Sequence, residues 1–223
     1  MKKLILIFAC LSSWDYAYGQ AGCLCADIII LSDFSSSINH NEHVVTYSVK
    51  TLVKGIPPQD NLIRFALVSF GEETRVEVPL TSNYEDLILG VRSYEERTAD
   101  GAFTNVNSAF DTALEIFLAN RRNNGCFRII IIVSDGQFSD MDKAITKANM
   151  LRVSTDYPIA IFSLSAFDDV LPIRVDDLKY LKSIPGNTSM LNVSALKNVS
   201  GGAYFGNDVQ NLRKWIIDLG MCL

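Results

Sequence analysis

The sequence predicts a three-layer α/β fold with a central, mostly parallel six-stranded sheet, one antiparallel edge strand and helices on both faces. Residues 28–31 and 129–133 are near-continuous runs of Ile, Leu and Val, typical of strands buried on both faces of a parallel sheet. Strand-like and helix-like segments alternate along the chain. Residues 63–70 and 75–80 are joined by only a Gly-led turn, which is too short for a crossover, so the second strand must be antiparallel and is placed at an edge.

The other elements follow from periodicity and from helix-breaking residues. A helix that begins near Glu42 must stop before Pro57-Pro58, and a longer one with a single apolar face is ended by Asn-Asn-Gly at 123–125. Pro185-Gly186 ends a later helix in the same way. In chain order we predict strand 27–31, helix 42–54, strands 63–70 and 75–80, helices 84–91 and 106–120, strand 127–133, helix 142–153, strand 159–164, helix 175–183, strand 202–205 and helix 208–219.

The N-terminus has the pattern of a secretory signal peptide. Lys2 and Lys3 precede the apolar run 4–11, and small residues at 17–19 form a cleavage site, so we predict a signal peptide at 1–19 and one domain at 20–223. A lipoprotein signal ending at Cys10 is a weaker interpretation. No later apolar run reaches the length of a membrane span, and we expect a secreted, extracellular protein.

Charge and cysteine content limit the class of protein further. The net charge of −5, with no basic patch, argues against binding to nucleic acid or to an anionic membrane. Beyond the signal peptide the cysteines are Cys23, Cys25, Cys126 and Cys222, an even number that predicts two disulfides with three possible pairings. A zinc site at Cys23-x-Cys25 is the competing interpretation.

Three glycosylation sequons occur close together near the C-terminus. They begin at Asn187, Asn192 and Asn198. In an exported chain this predicts an exposed loop that carries at least one glycan.

Polar residues follow both apolar runs at the point where each predicted strand ends. Asp33, with Ser35 and Ser37 two and four residues on, follows the first run, and Asp135 follows the second. Ligands bind beyond the carboxyl ends of the strands in such sheets. Carboxylate and hydroxyl oxygens suit a hard divalent cation, so these residues predict a metal site. The competing interpretation is that Asp33 and Ser35 only satisfy backbone donors in a turn or at a helix start.

The pattern resembles the von Willebrand factor type A domain, a Rossmann-like family. Its metal-ion-dependent adhesion site combines Asp-x-Ser-x-Ser after the first strand, here 33–37, with a later Thr and an Asp after the central strand. Thr104, just before the long helix, matches the Thr, and Asp135 matches the Asp. The resemblance implies that Asp33, Ser35, Ser37, Thr104 and Asp135 hold the metal, with the two aspartates acting largely through water.

The resemblance also implies a function. A metal held mainly by neutral oxygens keeps an open position, which an Asp or Glu of an extracellular protein partner can fill. Mg²⁺ suits the site best, and Ca²⁺ or Mn²⁺ can substitute. One alternative is a structural extracellular-matrix or assembly module that needs no metal, as in a degenerate domain of this family. We expect no enzyme activity, because the common nucleophile and phosphate-loop motifs are absent and His40 and His43 are typical of solvated surface.

The strand order of the family bears on the disulfides. It sets the first strand beside the central one, so all four cysteines are expected at the sheet end opposite the metal. We favour Cys25–Cys126, because Cys25 is nearer the first strand, which leaves Cys23–Cys222.

Overall fold

The computed structural model describes residues 25–38, 41–60, 62–99, 101, 103–122, 126–153 and 159–166. These residues form a single five-stranded sheet in the order β3-β2-β1-β4-β5. The strands are β1 (Ala26–Asp33), β2 (Ile63–Phe70), β3 (Thr74–Thr81), β4 (Phe127–Ser134) and β5 (Ile159–Ser165). The helices are α1 (Glu42–Gly55), α2 (Tyr84–Glu95), α3 (Val106–Ala119) and α4 (Met141–Val153).

The two apolar runs form the adjacent central strands of this sheet. All eight residues of β1 are buried, because β1 pairs in parallel with β2 on one side and β4 on the other. β5 continues the sheet in parallel beyond β4, whereas β3 pairs antiparallel with β2 at the edge. The predicted α/β fold and its antiparallel edge strand are therefore confirmed.

Helices cover both faces of the sheet and create two apolar cores. Alternate residues of β1 point to opposite faces. Ile28 and Ile30 pack with α1 and α2, whereas Ile29 and Leu31 pack with α3 and α4. The molecule therefore has the predicted three layers.

The observed boundaries differ most from the prediction at α2, which was expected to end at residue 91 and continues to Glu95. The reason is Tyr94, which is buried in the core shared by α1 and α2 and packs against the ring of Phe34. Because Tyr94 lies three residues beyond Val91 on the same buried face, it extends the apolar face of the helix by about one turn. The other described elements agree with the prediction to within a residue or two.

The amino ends of the parallel strands form what we call the lower edge of the sheet, and it is tied together covalently and by charge. Cys25 and Cys126 form a disulfide with a Cα–Cα distance of 4.7 Å, the pairing favoured from the sequence. Beside it the buried carboxylate of Asp27 accepts two hydrogen bonds of 2.9 Å from Arg64 and one of 2.5 Å from Arg122. These contacts join β1, β2, β4 and the end of α3.

Several predictions concern residues outside the described ranges: the signal peptide, the Cys23–Cys222 bridge, the three sequons, His40, the predicted helix 175–183, the sixth strand and the last helix. They stay predictions. Within the described ranges, no helix has the length and apolar character that crossing a membrane requires.

Candidate metal centre

The predicted site lies at the upper edge of the sheet, which we define as the carboxyl ends of β1, β2, β4 and β5. Asp33 is the last residue of β1, and Asp135 directly follows β4, the neighbouring strand. Both carboxylates are fully buried. Because parallel neighbours end together, two acids about a hundred residues apart in sequence lie at the same place in the fold.

Asp33 is held by donors from two different segments. Its Oδ1 accepts a hydrogen bond of 2.9 Å from the backbone N–H of Ser35, and its Oδ2 accepts one of 2.5 Å from Ser134 Oγ. The Ser134 hydroxyl in turn accepts a hydrogen bond of 2.9 Å from the backbone N–H of Gly136. Ser134 thus joins the loop after β1 to the loop after β4.

The hydroxyls of the first motif are also adjacent to each other. Ser35 Oγ and Ser37 Oγ are 3.0 Å apart. Ser35 is buried, and Ser37 is half-buried. A single turn of 3-10 helix over Ser36–Ile38 follows Ser35 and contains Ser37. The turn brings these two hydroxyls onto one side of the loop. A single ion could therefore contact both oxygens.

Thr104 lies on a loop whose backbone is fixed at several points. Its backbone N–H donates to Ser139 Oγ at 2.8 Å, and its carbonyl accepts from the N–H of Ser139 at 3.2 Å. The carbonyl of Gly101 accepts a 3.2 Å hydrogen bond from the N–H of Ser36, and Asn105 N–H donates to the carbonyl of Gly71 at 3.0 Å. The Thr104 loop is thereby bound to the loops after β1, β2 and β4.

The electrostatics of the site favour a cation. Burial, and after it the nearby charge of Asp135, raises the pKa of Asp33 to about 7, while hydrogen bonds from Ser134 and Ser35 act in the opposite direction. Two ionised carboxylates in a low-dielectric site repel each other, and a divalent cation bound at the site would offset that repulsion. The donors are oxygens only, as Mg²⁺, Ca²⁺ and Mn²⁺ prefer. The residues present therefore fit a hard divalent cation.

Alternative sites suggested by the sequence do not form among the described residues. The disulfide of Cys25 removes it as a thiolate ligand for zinc. In the described part of the chain, no group of three or more His, Cys, Asp or Glu side chains is placed so that it could hold a metal ion. His43 is exposed near the start of α1, as expected of a surface histidine.

The sequence reasoning missed residues that act through the predicted ligands. Ser134 was visible as the residue before Asp135, but its bond to Asp33 depends on strand pairing that no local pattern reveals. Ser139 gave no sequence signal. Of the motif residues, Asp33 ends β1, whereas the other four lie on the three interconnected loops: Ser35, Ser37, Thr104 and Asp135.

The family model of the von Willebrand factor type A domain matches residues 27–201. The chain belongs to the von Willebrand factor type A domain family. This confirms the resemblance inferred from the motif, and the match spans the described fold together with part of the chain beyond it.

Solved structures with the same fold include proteins from distant organisms. The manganese-loaded TRAP protein of Plasmodium vivax is 16% identical with a TM-score of 0.70, and the match covers 87% of this chain and 74% of that one. Proximal thread matrix protein 1 from the mussel byssus is 21% identical with a TM-score of 0.58, covering 74% of this chain and 42% of that one. Another structure of the mussel protein has zinc in its metal-ion-dependent adhesion site (MIDAS) motif. It is 18% identical with a TM-score of 0.51, covering 64% of this chain and 36% of that one.

The matched mussel protein is therefore much longer than the region it shares with this chain. An aerotolerance-related membrane protein of Bacteroides fragilis is 16% identical with a TM-score of 0.60, covering 86% of this chain and 97% of that one. No curated protein matches the chain. At these identities the solved structures establish the fold.

Proposed function

We propose that this protein is a secreted, metal-dependent protein-binding module that recognises an acidic side chain of an extracellular partner. The observation that carries the proposal is the pair of buried aspartates at the upper edge, with the Ser35, Ser37 and Ser134 hydroxyls close by on segments that hydrogen bonds connect. Proteins of this family bind other proteins; one of the similar structures is manganese-loaded, and another has zinc in its MIDAS motif.

The proposed ligands divide into two groups with different roles. Ser35, Ser37 and Thr104 would supply neutral oxygens, and Asp33 and Asp135 would supply the negative charge. A divalent cation held there supplies an open coordination position for an outside carboxylate. The protein's own part is to orient the donors, which it does through the Ser134 and Ser139 hydrogen bonds. We propose Mg²⁺ as the resident ion and assign no catalytic step to the site.

The decisive test is magnesium binding by the whole chain and by Asp135→Ala. We expect the wild-type protein to bind one Mg²⁺ and the variant to lose measurable binding, because one of the two buried charges is gone. Asp111→Ala is the matched control, since Asp111 is an exposed aspartate on α3. Isothermal titration calorimetry gives the affinities, and circular dichroism checks the fold. Unchanged affinity in Asp135→Ala would contradict the metal assignment.

A second candidate function is a matrix or assembly module that binds its partners without metal. The similarity to a matrix protein of the mussel byssus favours keeping it. The two functions differ in their response to chelation: EDTA abolishes partner binding in the first and leaves it unchanged in the second.

A further inference from the structure

Phe103 is the one large exposed apolar residue, among those described, that sits in the loops around the metal site. Its side chain is 62% exposed. The other large exposed apolar residues of the described part belong to helices or to β3: Tyr47, Val76, Tyr84, Leu89, Leu118 and Met150. Single exposed apolar residues are ordinary on protein surfaces, so exposure alone carries no function. The position of Phe103 is what distinguishes it.

Phe103 directly precedes Thr104, one of the five proposed metal ligands, so the two Cα atoms are about 3.8 Å apart. A protein that places a carboxylate on the metal covers about 800 Å² of this surface. Because Phe103 is exposed and adjoins Thr104, we expect such a footprint to include it. A partner that docks through the metal would then contact the aromatic side chain close to its own acidic residue.

The loop that carries Phe103 is fixed on both sides. On one side the carbonyl of Gly101 is bound by the N–H of Ser36. On the other, Thr104 is bound twice to Ser139 and Asn105 donates to the carbonyl of Gly71. Because these hydrogen bonds hold the backbone on both sides of Phe103, a partner would pay less entropy to immobilise that backbone on binding. Aromatic side chains that become buried at the centre of an interface often contribute a large part of the affinity.

We infer that Phe103 is a specificity-determining contact, and that the partner carries a large apolar side chain within two residues of its acidic one. This inference rests on the proposed function and narrows it. The metal selects the carboxylate, which many surface segments offer. Phe103 selects among them the acidic residues that have an apolar neighbour.

The probe is a displayed peptide library with a fixed central Asp and randomised flanking positions, selected on the whole chain in Mg²⁺ and in EDTA. With the wild-type protein we expect Mg²⁺-dependent enrichment of Leu, Ile, Met or aromatic residues within two positions of the Asp. With Phe103→Ser we expect that preference to disappear. The best wild-type peptide should then bind about tenfold more weakly, as is common when a central aromatic contact is lost.

Leu118→Ser is the matched control. Leu118 is a similarly exposed apolar residue, at 57%, but lies about 18 Å along α3 from Val106, towards the lower edge. It should keep the wild-type preference. Magnesium affinity should be unchanged in both serine variants, because neither residue supplies a ligand.

The outcomes separate the inference from the function beneath it. Mg²⁺-dependent enrichment without an apolar preference, or a preference that survives Phe103→Ser, overturns the inference and leaves the metal-dependent function standing. Loss of magnesium affinity in Phe103→Ser also overturns it, since Phe103 would then act on the metal site itself. If the wild type shows no more Mg²⁺-dependent enrichment than Asp135→Ala, the proposed function fails and the inference fails with it.

Discussion

The side chain of Phe34 lies between two proposed metal ligands in sequence, and its packing decides how they are held. Its ring is fully buried and meets Tyr94 edge-on, with the ring centroids 5.0 Å apart at 62°. The guanidinium of Arg97 lies 4.9 Å from the centre of the Phe34 ring and is itself paired with Glu77 at 2.6 Å. Cation–π and aromatic contacts of this kind fix the orientation of the ring, and with it the backbone that carries Asp33 and Ser35.

We therefore expect Phe34→Leu to lower magnesium affinity by about tenfold, a usual effect of altering residues that orient metal ligands. The shorter side chain loses both the Tyr94 and the Arg97 contact, so the donors lose their fixed geometry. Phe65→Leu is the matched control: Phe65 is also fully buried, but it lies near the start of β2, towards the lower edge. Both variants should lose about 1–2 kcal/mol of unfolding free energy.

Calorimetric titration with Mg²⁺ and urea denaturation measure the two quantities. An equal loss of magnesium affinity in both variants would mean that Phe34 acts through general stability and not through the loop.

The loop that carries Thr104 and the β2–β3 hairpin depend on each other. Gly101 has a positive φ of 73°, a conformation that favours glycine. A Cβ placed there would lie 2.4 Å from the Cβ of Glu72 in the hairpin turn. The loop can run this close to the hairpin only because residue 101 has no side chain.

Gly101→Ala should accordingly destabilise the protein by about 1–3 kcal/mol, since both the φ angle and the contact become unfavourable. It should also weaken magnesium binding, because the shifted carbonyl of Gly101 no longer accepts from Ser36. Gly55→Ala, within α1, is the control and should be neutral or slightly stabilising. Thermal denaturation with and without Mg²⁺ measures both effects, and a Gly101→Ala protein with wild-type stability and affinity would refute the argument.

Across the whole molecule, stability and binding are concentrated at opposite edges of one sheet. The lower edge holds the Cys25–Cys126 disulfide and the buried Asp27 with its two arginines. The upper edge holds two buried carboxylates with a repulsion that costs stability when no cation is bound. The strands between them keep the two regions about one strand length apart.

This separation predicts that the disulfide can be removed without loss of the metal site. Cys25→Ser with Cys126→Ser opens a loop of 101 residues, which on the chain-entropy model costs up to about 4–5 kcal/mol of unfolding free energy. Magnesium affinity of the folded protein should stay within about twofold of wild type, a difference of about 0.4 kcal/mol. Guanidinium denaturation and calorimetry measure the two values. A large loss of magnesium affinity in the folded double variant would show that the edges are coupled.

The sequence by itself determined the fold class, because the fold class depends on local patterns, and the same patterns predicted where the candidate site lies. β-Branched runs identify buried parallel strands. The carboxyl ends of parallel strands lie at the same edge of the sheet, so an acid that follows each run is placed at that edge. Asp33, Ser35, Ser37 and Asp135 could therefore be proposed as ligands from the residues alone, whereas Thr104 was added by the resemblance to the family motif. The shortness of the β2–β3 turn likewise predicted the antiparallel edge strand.

Only the tertiary structure decided what holds these residues in place. Three contacts join residues that are far apart in sequence. They are the hydrogen bond from Ser134 to Asp33, the contact of the Arg97 guanidinium with the Phe34 ring, and the packing of Tyr94, in the extra turn of α2, against Phe34. The pairing of Ala26 with Phe127 likewise set Cys25 beside Cys126, a choice that had rested on the family's strand order and on the closeness of Cys25 to the first strand. Such contacts depend on strand register and on side-chain packing in three dimensions, and no periodicity along the chain encodes them.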